Sequence, residues 1–298
     1  MRITTWLMAF CAIALLAACA SSPRQGETVA APPQPLAKRP PTIGLALGGG
    51  AARGFAHVGV IQILEEAGVR PDLVVGTSAG SLVATLYASG RNGQQLQQVA
   101  ESMEEAAFAD WTLPIFNRGM LRGEALARYV NAHVSGKPIE QMPLPLGIVA
   151  TDLHSGAGVL FQRGDTGTAV RASSAVPALF LPVKIGNQEY VDGGLVAPTP
   201  VRYARQMGAE LVIAVDISSA PEGNQAGDPV QILLQTFAIM GKSINSYELR
   251  DAEVVVRPAL AGVGGADFGA RRRAIDAGRA AMQRMLPQLK AAIEAKAK

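Results

Sequence analysis

The run Leu73-Val74-Val75-Gly76-Thr77-Ser78-Ala79-Gly80-Ser81-Leu82 carries the densest chemical pattern in the chain: an apolar strand enters G-x-S-x-G and an apolar helix follows at once. A serine on so sharp a strand-to-helix turn has its oxygen pushed clear of the backbone. Glycines on either side are needed where neighbouring chain comes close, which assigns that part to Gly76 and Gly80. Ser78 is therefore the candidate nucleophile. A Thr-Ser pair ahead of a helix also reads as an ordinary N-cap, but the strand before and the helix after favour the nucleophile.

A serine nucleophile needs somewhere to put the negative charge that develops on an attacked carbonyl. Residues 42–47 read as a buried strand, followed by the loop Gly48-Gly49-Gly50-Ala51-Ala52-Arg53-Gly54. A helix over residues 55–67 comes next, with Val58, Ile61 and Leu64 on one face, and Gly68 closes it. With the strand at residues 72–75 this makes a strand–helix–strand unit, whose right-handed crossover brings both loops to one carboxyl edge. Backbone N–H groups of a glycine-rich loop can point at an oxyanion there, helped by the following helix N-terminus. The rival reading is a phosphate cradle. A dinucleotide site would carry an acid about twenty residues on, where Val75-Gly76 stands. Gly241-Lys242-Ser243 has Thr236 at the position of the first P-loop glycine, and the loop at residues 48–54 has no lysine. No nucleotide is expected.

A base is also needed, and the chain holds three histidines. In the α/β-hydrolase order the histidine comes last, yet His57, His133 and His154 all precede the next promising acid. His57 reads as a packing or hydrogen-bonding histidine and His133 as part of a polar helix end. His154, beside Asp152 after an apolar strand at residues 146–149, is the histidine alternative. The acid is Asp192, in Tyr190-Val191-Asp192-Gly193-Gly194-Leu195, where two glycines break a short strand and let the carboxylate approach another loop. Asp-Gly is equally a turn dipeptide, so spacing alone leaves both readings open.

Taken together, the glycine loop, Gly76-Thr77-Ser78-Ala79-Gly80 and Asp192-Gly193-Gly194 resemble the patatin-like phospholipases. Ala150-Thr151-Asp152-Leu153 and Arg171-Ala172-Ser173-Ser174-Ala175-Val176-Pro177-Ala178-Leu179-Phe180 are similar to stretches of bacterial members. The resemblance covers residues 43–215. It implies a lipid acyl hydrolase with a Ser-Asp dyad, Ser78 and Asp192, and no metal or cofactor. It also implies an oxyanion hole from the loop backbone, chiefly Gly49 and Gly50, with Ala51 where many members carry a further glycine. Arg53 matches the basic position of the family and would orient the loop. Alternatives from the residues are a thioesterase or small-ester esterase on the same dyad, and an envelope lipoprotein that binds lipid without turnover.

The elements that must position these groups alternate along the chain. Helices are expected over residues 198–208, 231–247 and 270–297, and strands over residues 211–217 and 252–256. The expected fold is an α/β, three-layer α/β/α sandwich with a mostly parallel central sheet. Residues 94–120 begin helical and turn irregular and apolar at Phe108, Trp111, Leu113, Pro114, Ile115 and Phe116, which suits a cap over an acyl chain or a loop packed on the core. Ahead of the domain, Met1-Arg2 and the apolar residues 6–18 read as a leader, and Leu16-Ala17-Ala18-Cys19 resembles a bacterial lipoprotein signal. The expected organisation is a signal peptide at 1–18, a proline-rich tether at 19–41 starting from lipidated Cys19, and a folded domain at 42–298. Ala20 after that cysteine suggests the outer membrane, facing the periplasm. With Cys11 in the leader, no thiol is left for a disulfide or a metal. A formal charge of +3 in 298 residues gives no reason to expect a nucleic-acid partner; the expected partner is membrane lipid.

Overall fold

The computed structural model of the protein describes residues 39–104, 110, 119–219 and 227–298. The leader, Cys19, nearly all of the tether, and Phe108, Trp111, Leu113, Pro114, Ile115 and Phe116 lie outside the described residues. Elements run in the order β1 (Ile43–Leu47), α1 (Ala56–Glu66), β2 (Leu73–Thr77), α2 (Ala79–Ala88), α3 (Gly93–Ser102), β3 (Gly119–Leu121), α4 (Glu124–His133), β4 (Leu146–Asp152) and β5 (Gly158–Phe161). Then follow α5 (Thr166–Ser173), β6 (Ala178–Phe180), β7 (Val183–Ile185), β8 (Gln188–Asp192), α6 (Val201–Gln206), β9 (Leu211–Val215), α7 (Pro229–Glu248), β10 (Val254–Val256) and α8 (Arg271–Lys296).

The main sheet has the order β10-β9-β1-β2-β4-β8-β7, with β5 on the other edge of β4. From β10 to β4 every pairing is parallel, while β5, β8 and β7 pair antiparallel. The parallel strands IGLAL, LVVGT and LVIAV are buried along their whole length, as strands covered on both faces must be. Alternation divides their side chains between two layers. Ile43, Leu45, Leu47, Leu211, Ile213 and Val215 pack towards α1 and α8, and the smaller Ala46 and Ala214 pack towards α6. Gly44 lets α6 lie close to the sheet: a Cβ there would stand 3.3 Å from Ala204 Cβ, and 2.6 Å from Ala209 Cβ just beyond the helix. The expected three-layer arrangement is present. The antiparallel end of the sheet was not resolved at the sequence level, because β5, β7 and β8 are short and only partly buried.

Candidate active site

Ser78 stands between β2 and α2 at φ 54° and ψ −126°, a region that non-glycine residues seldom occupy. What holds it there is packing on both sides. A Cβ on Gly76 would run into the Gly80 backbone, and one on Gly80 into the Leu47 and Gly48 carbonyls at the end of β1. The two glycines therefore let the turn sit directly on the neighbouring strand, as their spacing predicts. Ser78 N–H donates to Ser173 Oγ at 2.8 Å, and that hydroxyl donates in turn to Val149 O at 2.6 Å.

Asp192 reaches Ser78 through the register of β4. Val149 pairs with Thr77 at the end of β2, and the next residue, Ala150, pairs with Asp192 at the end of β8. Both Val149 and Ala150 pair with β5 on the other side. Hence β2 and β8 share one edge of β4 and run into each other end to end, carrying Ser78 and Asp192 together. Ser78 Oγ donates to Asp192 Oδ2 at 2.7 Å, and Gly194 N–H donates to Oδ1 at 2.7 Å. Gly193 fits only without a side chain, since a Cβ there would enter Val149 O. Asp192 is 7% exposed. Burial pushes its carboxyl up to about 6, against the opposing pull of the Ser78 and Gly194 donors.

The glycine loop lies against the same turn: a Cβ on Gly49 would stand 3.1 Å from Ser78 Cβ, and one on Gly54 would stand 3.0 Å from Ala79 Cβ. One expectation is corrected here. Gly49 N–H donates to Pro198 O at 2.9 Å, just as Gly48 N–H donates to Val215 O at 3.0 Å. Those carbonyls complete the hydrogen bonding of the loop, so Gly49 has no amide to offer an oxyanion in this conformation. Among the described residues, Gly50 N–H and Ala51 N–H have no acceptor, and neither has Ala79 N–H at the start of α2. Ala51 sits at φ 50°, a left-handed conformation that costs an alanine about 1 kcal/mol and a glycine almost nothing. Arg53 Nε donates to Gly50 O at 3.3 Å. Burial lowers its pKa, with Asp216 acting in the opposite direction.

None of the histidines touches this pair. His57 is fully buried, with Nε2–H donating to Gly48 O at 2.8 Å and Nδ1 unpartnered among the described residues. Burial brings its pKa down to about 4, so it stays neutral and ties α1 to the glycine loop. His133 Nδ1–H donates to Tyr129 O at the end of α4. His154, in the turn after β4, faces Glu189 at 3.5 Å, while the Asp152 carboxylate accepts from the backbone of His154 and Ser155. Sequence reasoning quoted Ser173 and Ala175 without a role. Ser173 holds the Ser78 amide and Ala175 O accepts from Asp192 N–H at 2.9 Å. The signal was there only as a resemblance, because their function is a contact across many residues of sequence.

Comparison with known proteins adds a lineage to this geometry. A family model described as patatin-like phospholipase matches residues 45–205. An uncharacterized NTE family protein of Mycobacterium tuberculosis is 38% identical over 184 residues, covering 61% of this chain and 51% of the relative. A second from that organism is 30% identical over 272 residues, covering 82% of this chain and 46% of the relative. Human patatin-like phospholipase domain-containing protein 6 is 38% identical over 190 residues, 61% of this chain and 14% of the relative. The chain thus spans about half the length of the mycobacterial relatives and much less of the human one. Among solved structures, VipD from Legionella pneumophila superposes with a TM-score of 0.58 at 15% identity, covering 84% of this chain and 67% of VipD. ExoU, solved with SpcU from the type III secretion system of Pseudomonas aeruginosa, gives 0.51 at 17% identity, covering 86% of this chain and 53% of that one. At such identities these two speak for the fold alone.

Proposed function

The chain belongs to the patatin-like phospholipase family, and from that premise we propose that it is a serine hydrolase cleaving carboxylic ester bonds of lipids by a Ser78–Asp192 dyad. The observation that carries this reading is the 2.7 Å hydrogen bond from Ser78 Oγ to a buried Asp192 Oδ2. As an ester carbonyl arrives, Ser78 Oγ forms the new C–O bond and its proton passes to Asp192 Oδ2. The oxyanion is held by free loop amides, for which Gly50 and Ala51 are the candidates, with Ala79 at the head of α2. Collapse breaks the ester C–O bond, and protonated Asp192 returns its proton to the leaving alcohol. Water then attacks the acyl-enzyme, gives its proton to Asp192, and Ser78 is regenerated with it.

An aspartate is a weaker base than an imidazole, and a carboxyl raised to about 6 narrows the gap without closing it. Donors on the oxyanion, worth roughly 3 kcal/mol each, offset the remainder. Such a site suits esters, whose alcohol leaves readily, better than amides. On the membrane side, we propose lipidation at Cys19, the first residue of a tether over residues 19–41, placing the protein on the outer membrane. More than one acyl chain is required for firm attachment, and Cys19→Ser tests it by blocking processing.

Fluorophosphonate labelling tests the chemistry. The probe is expected to modify Ser78, and Ser78→Ala, a small change at a half-buried position, to abolish labelling and turnover while circular dichroism stays native. Hydrolysis by a folded Ser78→Ala protein would sink the mechanism. Rates on phospholipid, acyl-CoA and short nitrophenyl esters separate a lipase from a thioesterase or general esterase.

A further inference from the structure

Among the described residues, the buried anchors of helix α7 lie in its second half. Asn245 Oδ1 accepts from Thr199 N–H at 3.2 Å, and Asn245 Nδ2 donates to Asp216 Oδ1 at 3.3 Å, just past the end of β9. A Cβ on Gly241 would stand 3.5 Å from Pro198 Cγ, and Pro198 O is the acceptor for Gly49 N–H. Glu248 pairs with Arg202 on α6, and Leu249 beyond it joins the core between α6 and the sheet. The helix therefore climbs along the sheet with its C-terminal end at mid-strand and its middle level with the carboxyl edge. Its first twelve residues, none of them buried, continue about 18 Å past the edge that carries Ser78.

That overhang is uncharged and mostly apolar: Gln231, Gln235 and Thr236 are its polar residues. Between Asp228 and Lys242 there is no charged residue. Leu234 and Phe237 continue the line of the docked face, and Ile232 and Ile239 lie opposite. Ile232 is 55% exposed, Ile239 54% and Met240 45%. Exposed apolar patches mark interaction surfaces. No helix among the described residues is long and apolar enough to cross a membrane, so α7 does not span one.

We infer that the N-terminal half of α7 docks the protein on a lipid surface, sinking Ile232, Ile239 and Met240 into the boundary between headgroups and acyl chains beside the Ser78 edge. This rests on the lipid hydrolase reading, since a substrate packed in a surface has to meet Ser78 there. The course of the chain favours a lipid occupant over another. The described chain enters at Arg39, which pairs with Glu210 and with the backbone of Lys298 at the amino edge, the end of the sheet away from Ser78. Attachment through the residues ahead of Arg39 therefore reaches the domain at the edge away from Ser78. An uncharged, mostly apolar half-helix with Ile232, Ile239 and Met240 exposed stands on the Ser78 edge and can bring that edge to the lipid.

The test uses the full chain with Ser78→Ala, Cys11→Ser and Cys19→Ser, one introduced thiol, and an environment-sensitive fluorophore on that thiol. With Ile239→Cys, vesicles of phosphatidylcholine and phosphatidylglycerol should shift emission to the blue and raise it several-fold. With Glu294→Cys, on α8 towards the amino edge, they should not. No change at 239, whether or not the chain sediments with vesicles, overturns the inference. A shift at 239 that needs no vesicles and grows with protein concentration does so too, in favour of a second copy. In a second arm, Ile232→Gln/Ile239→Gln on the otherwise native chain should lower hydrolysis of vesicle phospholipid at least tenfold and leave a soluble nitrophenyl ester unaffected. Equal loss on both substrates would contradict docking. If the native chain cleaves neither substrate, the hydrolase reading fails, while the fluorescence arm still decides the docking.

Discussion

A carboxylate that is nearly all buried and faces only two donors carries a stability cost, and Asp192 is such a group. Its carboxyl sits at about 6 in the fold against an ordinary 3.8. Between those values the folded chain holds the proton more tightly than the unfolded chain. Its contribution is therefore fully present below about pH 4 and is lost as pH rises through 6. A shift of that size corresponds to about 3 kcal/mol. Asp192→Asn should be inactive, and more stable than the native chain at pH 8 by about 2 kcal/mol, with the advantage shrinking towards pH 4. Urea melts of both proteins across that range measure it. An advantage that does not change with pH would mean that the carboxylate is not desolvated. With Asp192 as the proposed base, kcat/KM of the native chain should rise with pH through about 6 as that carboxyl loses its proton.

The turn that ends α5 holds both Ser78 and Asp192. Ser173 Oγ accepts from the Ser78 amide and Ala175 O accepts from the Asp192 amide. Two backbones brought together by strands meeting end to end have no ladder between them, so their separation depends on such a third element. Ser173 is fully buried. Replacing it by alanine leaves the Ser78 N–H without its acceptor, at a cost of about 1–3 kcal/mol, and lets the turn at φ 54° relax. Ser173→Ala is expected to stay folded and to lose about tenfold or more in the rate of fluorophosphonate labelling, with substrate KM little changed. A labelling rate equal to that of the native chain would show that the elbow holds itself. Elsewhere in the fold, α1 and α8 touch through glycines: a Cβ on Gly278 would enter Ala56 O, and one on Gly59 would enter Ile275 O. The long C-terminal helix is thereby locked over the helix that follows the glycine loop.

Over the described molecule, the proposed site and the two ends of the described chain, Arg39 and Lys298, occupy opposite edges of the sheet. Glu210, ahead of β9, accepts from Arg39, from Thr42 N–H and from Lys298, which closes the described chain on itself. These donors hold its carboxyl well below the usual range. Its contribution is thus complete above about pH 4.5 and is lost as pH falls below that. Glu210→Gln should speed amide exchange at Ile43 and at the end of α8 at neutral pH, converge with the native chain in acid, and leave turnover unchanged. A fall in turnover would mean that the two edges are coupled.

Much of this was legible without coordinates. The elbow at Ser78, the glycine loop and the parallel order of β1 and β2 depend on neighbouring residues. A glycine beside a strand end and a helix starting at once are short-range constraints that the sequence displays directly. Asp192 was different, because Asp-Gly-Gly alone describes a turn as well as a base. Its pairing with Ser78 follows from β2 and β8 sharing one edge of β4 in consecutive register. Its raised basicity follows from burial, which belongs to the packed fold. Likewise no spacing rule could tell that Pro198 O takes the Gly49 amide and leaves Gly50 and Ala51 free, or that half of α7 stands clear of the core. Local backbone chemistry decided which residues could react. Register and desolvation, set by residues far apart in the chain, decided which of them meet and with what proton affinity.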